Sequence, residues 1–294
     1  MRQNLNARKT WALLAVLGFA PGLASAAMVA ADNGANYISS GWSLSAPNQG
    51  SGFGNWASFV TNNNNPPYAG TYLDMPSYND STPNISATGA DWGTYANTPP
   101  PSPEVDLVRP FLPAAGGYSD PSSLGTLYNQ TFSVAIASDG IGNAGQALGV
   151  SLDIGQGAGA VADPALTIEY AGGNTDNMTL IDNNGTDNTA VPIDYNNLTN
   201  GIMISVQVGS NPDGLNPYTV TISPLPGNTT FTTPVVLTGS ENGPLQQVDM
   251  FDLNTAGNGF FNSLAITPEA VPEPASMGLI GGIGMFLMAR RRKA

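Results

Sequence analysis

Between residues 130 and 223, apolar side chains recur at every second position. Phe132, Val134 and Ile136 alternate with Ser133 and Ala135, and Leu148, Val150, Leu152 and Ile154 alternate with Gly149, Ser151 and Asp153. Leu166, Ile168 and Tyr170 alternate with Thr167 and Glu169, and Ile202, Ile204, Val206 and Val208 with Met203, Ser205 and Gln207. Tyr218, Val220 and Ile222 alternate with Thr219 and Thr221. Successive strand side chains point to opposite faces, so each run predicts a strand with one face in a core. Turn formers separate the runs: "SDGIGNAG" at 138–145, "AGGNTDN" at 171–177, "GSNPDGLNP" at 209–217 and "SENG" at 240–243. No stretch sustains a 3.6-residue period. The pattern predicts an all-β domain over residues 27–270, an antiparallel β-sandwich or jelly roll. Residues 61–105, which contain "NNNNPP" and "PPPSP", are expected to be its irregular part.

The two ends break this pattern. Arg2, Arg8 and Lys9 precede the apolar run "WALLAVLGFA" at 11–20; Pro21-Gly22 follows, then the small residues Ala24, Ser25 and Ala26. That order predicts a signal helix within residues 1–26, with cleavage after Ala26 and a secretion translocon as partner. At the other end, residues 275–289 carry no charge. As a transmembrane helix they would span about 22 Å, short against a hydrocarbon core of about 30 Å. Gly278, Gly281, Gly282 and Gly284 weaken this helix further. Arg290, Arg291, Arg292 and Lys293 follow it and are expected to hold the C-terminus in the cytoplasm. Val271, Pro272, Glu273 and Pro274 precede it, an extended segment unable to complete a hydrogen-bond ladder.

A Pro-Glu-Pro turn, a short apolar span and an arginine-rich end, in that order, resemble the PEP-CTERM sorting signal of exported proteins of Gram-negative bacteria. The resemblance covers residues 271–294. It implies recognition by an exosortase-type processing protease, transient anchoring in the inner membrane, and then the cell surface or extracellular matrix. It also implies an association with extracellular polysaccharide and biofilm.

Charge separates the ends from the body. Between Ala27 and Val271 there are twenty acidic residues and one basic residue, Arg109, a net of −19. Such a body repels nucleic acid and attracts divalent cations or cationic polymers. The chain has no Cys and no His. This excludes disulfides, Cys- or His-ligated zinc, and a His-activated nucleophile.

Few residues offer chemistry. "PEVDLVR" at 103–109 resembles the strand of concanavalin-like glycoside hydrolases of the laminarinase type, which carries a nucleophile, a helper Asp and an acid/base carboxylate. Glu104 and Asp106 match the first two places, but Val108 and Arg109 stand where the third acid belongs. Without that proton donor, retaining glycoside cleavage lacks a component, and the expectation is no enzyme. Arg109 is expected to be paired structurally with a buried acid. Asp182, Asn184 and Asp187 form an oxygen-rich turn that offers calcium a candidate site, with Asp249, Asp252 and Asn254 a lesser cluster. No other cofactor is expected. Trp42, Trp56 and Trp92 are read as core rather than sugar-stacking residues. "DNGANYISSGWSLSAPNQGSGFGNW", from Asp32 to Trp56, resembles the start of other exported, tail-sorted bacterial proteins, and implies a sandwich of the concanavalin A-like lectin type. The sequence thus supports an exported surface or matrix protein, structural and associated with exopolysaccharide. The alternative is a lectin-like carbohydrate binder or a degenerate glycoside hydrolase.

Overall fold

The computed structural model describes residues 30–44, 50–61, 69–75, 85, 89–97, 103–112, 127–141, 143–154, 163–173, 177–182, 189–209, 215–242, 244–255 and 257–269. The expected signal helix over residues 1–26 and the sorting tail lie outside these residues.

Every period-two run forms a strand. In chain order the strands are β1 (Ala30–Asp32), β2 (Ala57–Thr61), β3 (Ala69–Asp74), β4 (Asp91–Ala96) and β5 (Glu104–Pro110). Then come β6 (Gln130–Ser138), β7 (Ala147–Ile154), β8 (Asp163–Ala171), β9 (Met178–Asp182) and β10 (Thr189–Val191). The last five are β11 (Ile202–Val208), β12 (Leu215–Pro224), β13 (Val235–Asn242), β14 (Leu245–Leu253) and β15 (Asn258–Pro268). Residues 61–105, expected to be irregular, lie partly outside the described residues. They supply β3 and β4, and Trp92 of β4 is fully buried. Gly93 in place of an apolar residue, together with the flanking Pro and Asn, hid the alternation there.

The strands make an antiparallel β-sandwich. One sheet has the order β13-β12-β11-β6-β15-β4-β3, with β1 also on β15; the other has the order β10-β9-β8-β7-β14-β5-β2. β4 and β1 share one edge of β15, at Asn258–Phe261 and at Leu264–Ile266 respectively. Between them β15 bulges, with Ser263 at φ 55°. The buried Asn262 side chain holds the bulge: its Nδ2 donates to Ala90 O (2.9 Å) and Asp91 Oδ1 (2.6 Å), and its Oδ1 accepts from Gly34 N (3.0 Å). One short helix, α1 (Tyr195–Thr199), starts at a capping box in which Asp194 and Asn197 each accept from the other's backbone N–H.

The core lies between the sheets. Val134, Ile136, Leu148, Val150, Leu166, Ile168, Ile204, Val206, Val220 and Met250 are all buried there. Each such side chain contributes about 1.5–3 kcal/mol of burial. At one end the core turns aromatic. The Trp56 and Trp92 rings lie 4.7 Å apart, and Tyr37 and Trp42 pack edge-on against them, each at 6.1 Å. Arg109 enters this cluster, fully buried, with its guanidinium 4.4 Å from the Trp56 ring and 4.9 Å from the Phe53 ring. It pairs with Asp32 of the facing sheet and donates through Nε to Gly54 O (3.2 Å). Asp32 also accepts from Tyr37 Oη (2.7 Å) and Asn36 Nδ2 (2.7 Å). The charge therefore has the partners that a dry interior demands.

Candidate functional site: an acidic pocket on one sheet

Alternation along β5 sends Val105, Leu107 and Arg109 inward and leaves Glu104, Asp106 and Val108 on the outer face. Pairing with β14, β7 and β8 extends that face sideways. One row across the sheet reads Asp106, Phe251, Gly149, Glu169; the next reads Val108, Asp249, Ser151, Thr167. Asp153 sits one step along β7, opposite Gln247. Five carboxylates from four strands thus meet around a pocket of about 260 Å³: Glu104, Asp106, Asp153, Glu169 and Asp249. Phe251 gives the pocket an apolar patch. A Cβ on Gly149 would lie 2.6 Å from Phe251 Cζ and 2.5 Å from Ile168 O, so only glycine leaves room for that ring on the strand.

Three of these acids are far from solvated, while Glu104 and Glu169 are half-buried. Asp106, Asp153 and Asp249 are 4%, 1% and 5% exposed. Asp153 is supported: Ser151 Oγ donates to its Oδ1, and Gln247 Nε2 donates to its Oδ2 at 3.2 Å. Asp249 is not: its buried Oδ1 has no hydrogen-bond partner. Burial pushes Asp106 up to about 7, and the charges of Glu104 and Asp153 add to the shift. Burial pushes Asp153 up to about 6, held back by its Ser151 and Gln247 hydrogen bonds. Burial also raises Glu169. Asp249 is raised well above the carboxylate range, first by burial and then by Asp106, Asp153 and Glu104.

The structure brings Glu104 and Asp106 together as the alternation requires. Beside them, opposite Val108, stands Asp249 of β14. A third carboxyl therefore reaches the pocket from the neighbouring strand and not from β5 itself. The lesser cluster of Asp249, Asp252 and Asn254 does not form. Asp252 points into the sandwich, where Thr94 Oγ1 (3.1 Å) and Thr255 Oγ1 (2.6 Å) donate to it, and Asn254 donates to Gly145 O (3.3 Å). The alternation of β14 sends Asp249 and Asp252, three residues apart, to opposite faces, and Asn254 lies beyond the strand at φ 53°. Asp182 accepts from Tyr218 Oη (2.9 Å); Asn184 and Asp187 lie outside the described residues. Among the described residues no group of three acids converges so as to hold a metal ion. Trp56 and Trp92 are core residues, and Trp42 packs partly buried against them.

In the sequence, Asp153 and Glu169 stand only as the polar positions of two alternating strands. The available signal was one or two acids on the outward phase of several strands; only the register shows that they meet.

Ala24, Ser25 and Ala26, the expected signal-cleavage residues, lie outside the described residues. So do the tail residues Val271, Pro272, Glu273, Pro274, Arg290, Arg291 and Arg292. Among the described residues no helix is long and apolar enough to cross a membrane.

No curated protein matches the chain. Among solved structures it is similar to the exoplasmic/lumenal domain of VIP36 in a Ca2+/Man2-bound form, at 11% identity over 72% of this chain and 85% of that one, with a TM-score of 0.40. It is similar to a legume lectin-like domain from Entamoeba histolytica, at 11% identity over 67% and 89%, with a TM-score of 0.39. It is also similar to lectin II from Ulex europaeus, at 13% identity over 72% and 97%, with a TM-score of 0.34. Likenesses this loose carry no ligand across. The tail matches more specifically: the chain bears a PEP-CTERM protein-sorting motif at residues 270–293, the mark of an exported protein that is sorted through its C-terminal end.

Proposed function

We propose that the chain is a non-enzymatic surface or matrix protein that lodges in extracellular polysaccharide after an exosortase-type protease removes its tail. The sorting motif at residues 270–293 carries this reading. The short apolar span suits temporary parking in the inner membrane, with residues 290–293 on the cytoplasmic side. The body's net charge of −19 keeps it soluble within a polymer gel.

Mass spectrometry of the surface-associated protein tests the route. The expected mature form begins after Ala26 and lacks residues 290–293. A surface form that retains those basic residues overturns tail removal. Co-sedimentation of the mature protein with the cell's own exopolysaccharide tests the association, and a protein left wholly in the supernatant overturns it.

One observation favours a second reading, glycoside cleavage. Asp249 stands beside Asp106 and Glu104, and burial favours its protonated form, the state required of a leaving-group acid. Release of reducing ends from the exopolysaccharide by the purified chain would move the assignment to that reading. The expected result is none.

A further inference from the structure

Resting on the polysaccharide-associated reading, we propose that the acidic pocket binds a cationic amino-sugar unit of a polysaccharide, its ammonium group set against Asp249.

Charge supplies the first argument. Five carboxylates line the pocket, and the one basic residue among the described residues, Arg109, lies on the opposite face of β5, paired with Asp32. The chain therefore places no cation of its own against these acids among the described residues. Asp249 supplies the second argument. It is 5% exposed and lines the pocket, and its Oδ1 accepts no hydrogen bond. A buried acceptor without a donor is costly, and more so when charged. An ammonium group brings three donors and a positive charge to the pocket that this side chain lines. The hydroxyls of a neutral sugar bring donors and no charge, so only a cation favours the ionised form of an acid whose proton burial otherwise holds.

Geometry then separates an organic cation from a metal ion. No three acids among the described residues converge on one point as a metal requires. They are spread around about 260 Å³, just below the roughly 300–1,000 Å³ of small-molecule sites. That space suits one sugar ring rather than a bare ion. The remaining carboxylates accept from ring hydroxyls, and Phe251 offers an apolar surface to the ring's C–H face. At long range the body's net charge of −19 concentrates a polycation near the pocket.

Calorimetric titration of the full chain in detergent micelles tests the proposal, using a glucosamine tetramer, its fully N-acetylated counterpart and calcium chloride. The de-acetylated oligomer is expected to bind about tenfold or more tightly than the acetylated one. Asp249→Asn and Asp106→Asn should each weaken binding by a similar factor while keeping a cooperative thermal transition. Glu269→Gln, an exposed acid outside the pocket, should leave binding unchanged. Equal affinity for the two oligomers overturns the proposal without recourse to any variant. So does a loss in Glu269→Gln that matches the pocket variants, which would show general polycation attraction only. Calcium binding that Asp249→Asn abolishes, with no binding of the oligomer, would replace the amine by a metal. A chain that sediments with exopolysaccharide yet ignores glucosamine oligomers leaves the broader reading standing and removes this one.

Discussion

Arg109 and Asp249 are both buried and charged by nature, and they make opposite demands. Arg109 has everything a buried cation needs: Asp32, a backbone carbonyl and two aromatic faces. Arg109→Ala strands the Asp32 carboxylate in the interior and should cost about 3–5 kcal/mol. Urea denaturation measures this directly. The double variant Arg109→Met with Asp32→Asn should lose clearly less than Arg109→Ala alone; a loss as large as the single variant's would show that the pair is not the source. Asp249 has no hydrogen bond at Oδ1 and has acidic neighbours. Asp249→Asn should therefore stabilise the protein more at high pH, where the native carboxyl is driven to ionise, than at low pH, where it stays protonated. A destabilised variant at pH 8 would mean that Asp249 has a structural partner. An acid retained at a cost to stability is what a binding site requires.

At the scale of elements, legibility followed the polar residues. Strands with clean alternation, such as "IMISVQV" of β11, were readable because each inward position is apolar. β14, "LQQVDMFDL", was not, because Asp252 occupies an inward position and is satisfied by Thr94 across the sandwich. β15 was hidden by its bulge, which shifts the phase of the pattern at Asn262–Ala265. β14 also carries the pocket, together with β5, β7 and β8. Gly149 of β7 is tightly enclosed by Ile168 O and the Phe251 ring. Gly149→Ala should cost about 1–3 kcal/mol by overpacking and displace Phe251 from the pocket wall. Thermal melting reads the first effect, and binding of the glucosamine tetramer reads the second. A fully native melt would show that the sheet yields there more easily than its backbone contact allows.

At the scale of the molecule, buried acids set the response to pH. Asp91, Asp106 and Asp252 are raised to about 7 and Asp153 to about 6, in each case chiefly by burial. The folded state then holds more protons than the unfolded chain between about pH 4 and pH 7. Their contribution to stability is full below about pH 4 and is lost as pH rises through 6 and 7. The thermal midpoint should therefore climb on going from pH 8 to pH 5, by roughly 2–4 °C for each kcal/mol recovered in a domain of this size. A midpoint that is flat or falls over that range would show these carboxyls to be better solvated than their burial implies.

The sequence alone marked the chain for export and C-terminal sorting and determined the class of fold. Export and sorting signals are read as linear segments, and a two-residue period is a local property of the backbone. Both survive without any knowledge of the fold. It also determined that the body is strongly acidic, and it placed Glu104 and Asp106 on one strand face. Only the tertiary structure decided that Asp153, Glu169 and Asp249 join them. Residues 104 and 249 are far apart along the chain, and the register of four paired strands is fixed by core packing on the other face of the sheet. That register, and not any motif, turns scattered acids into one acidic pocket.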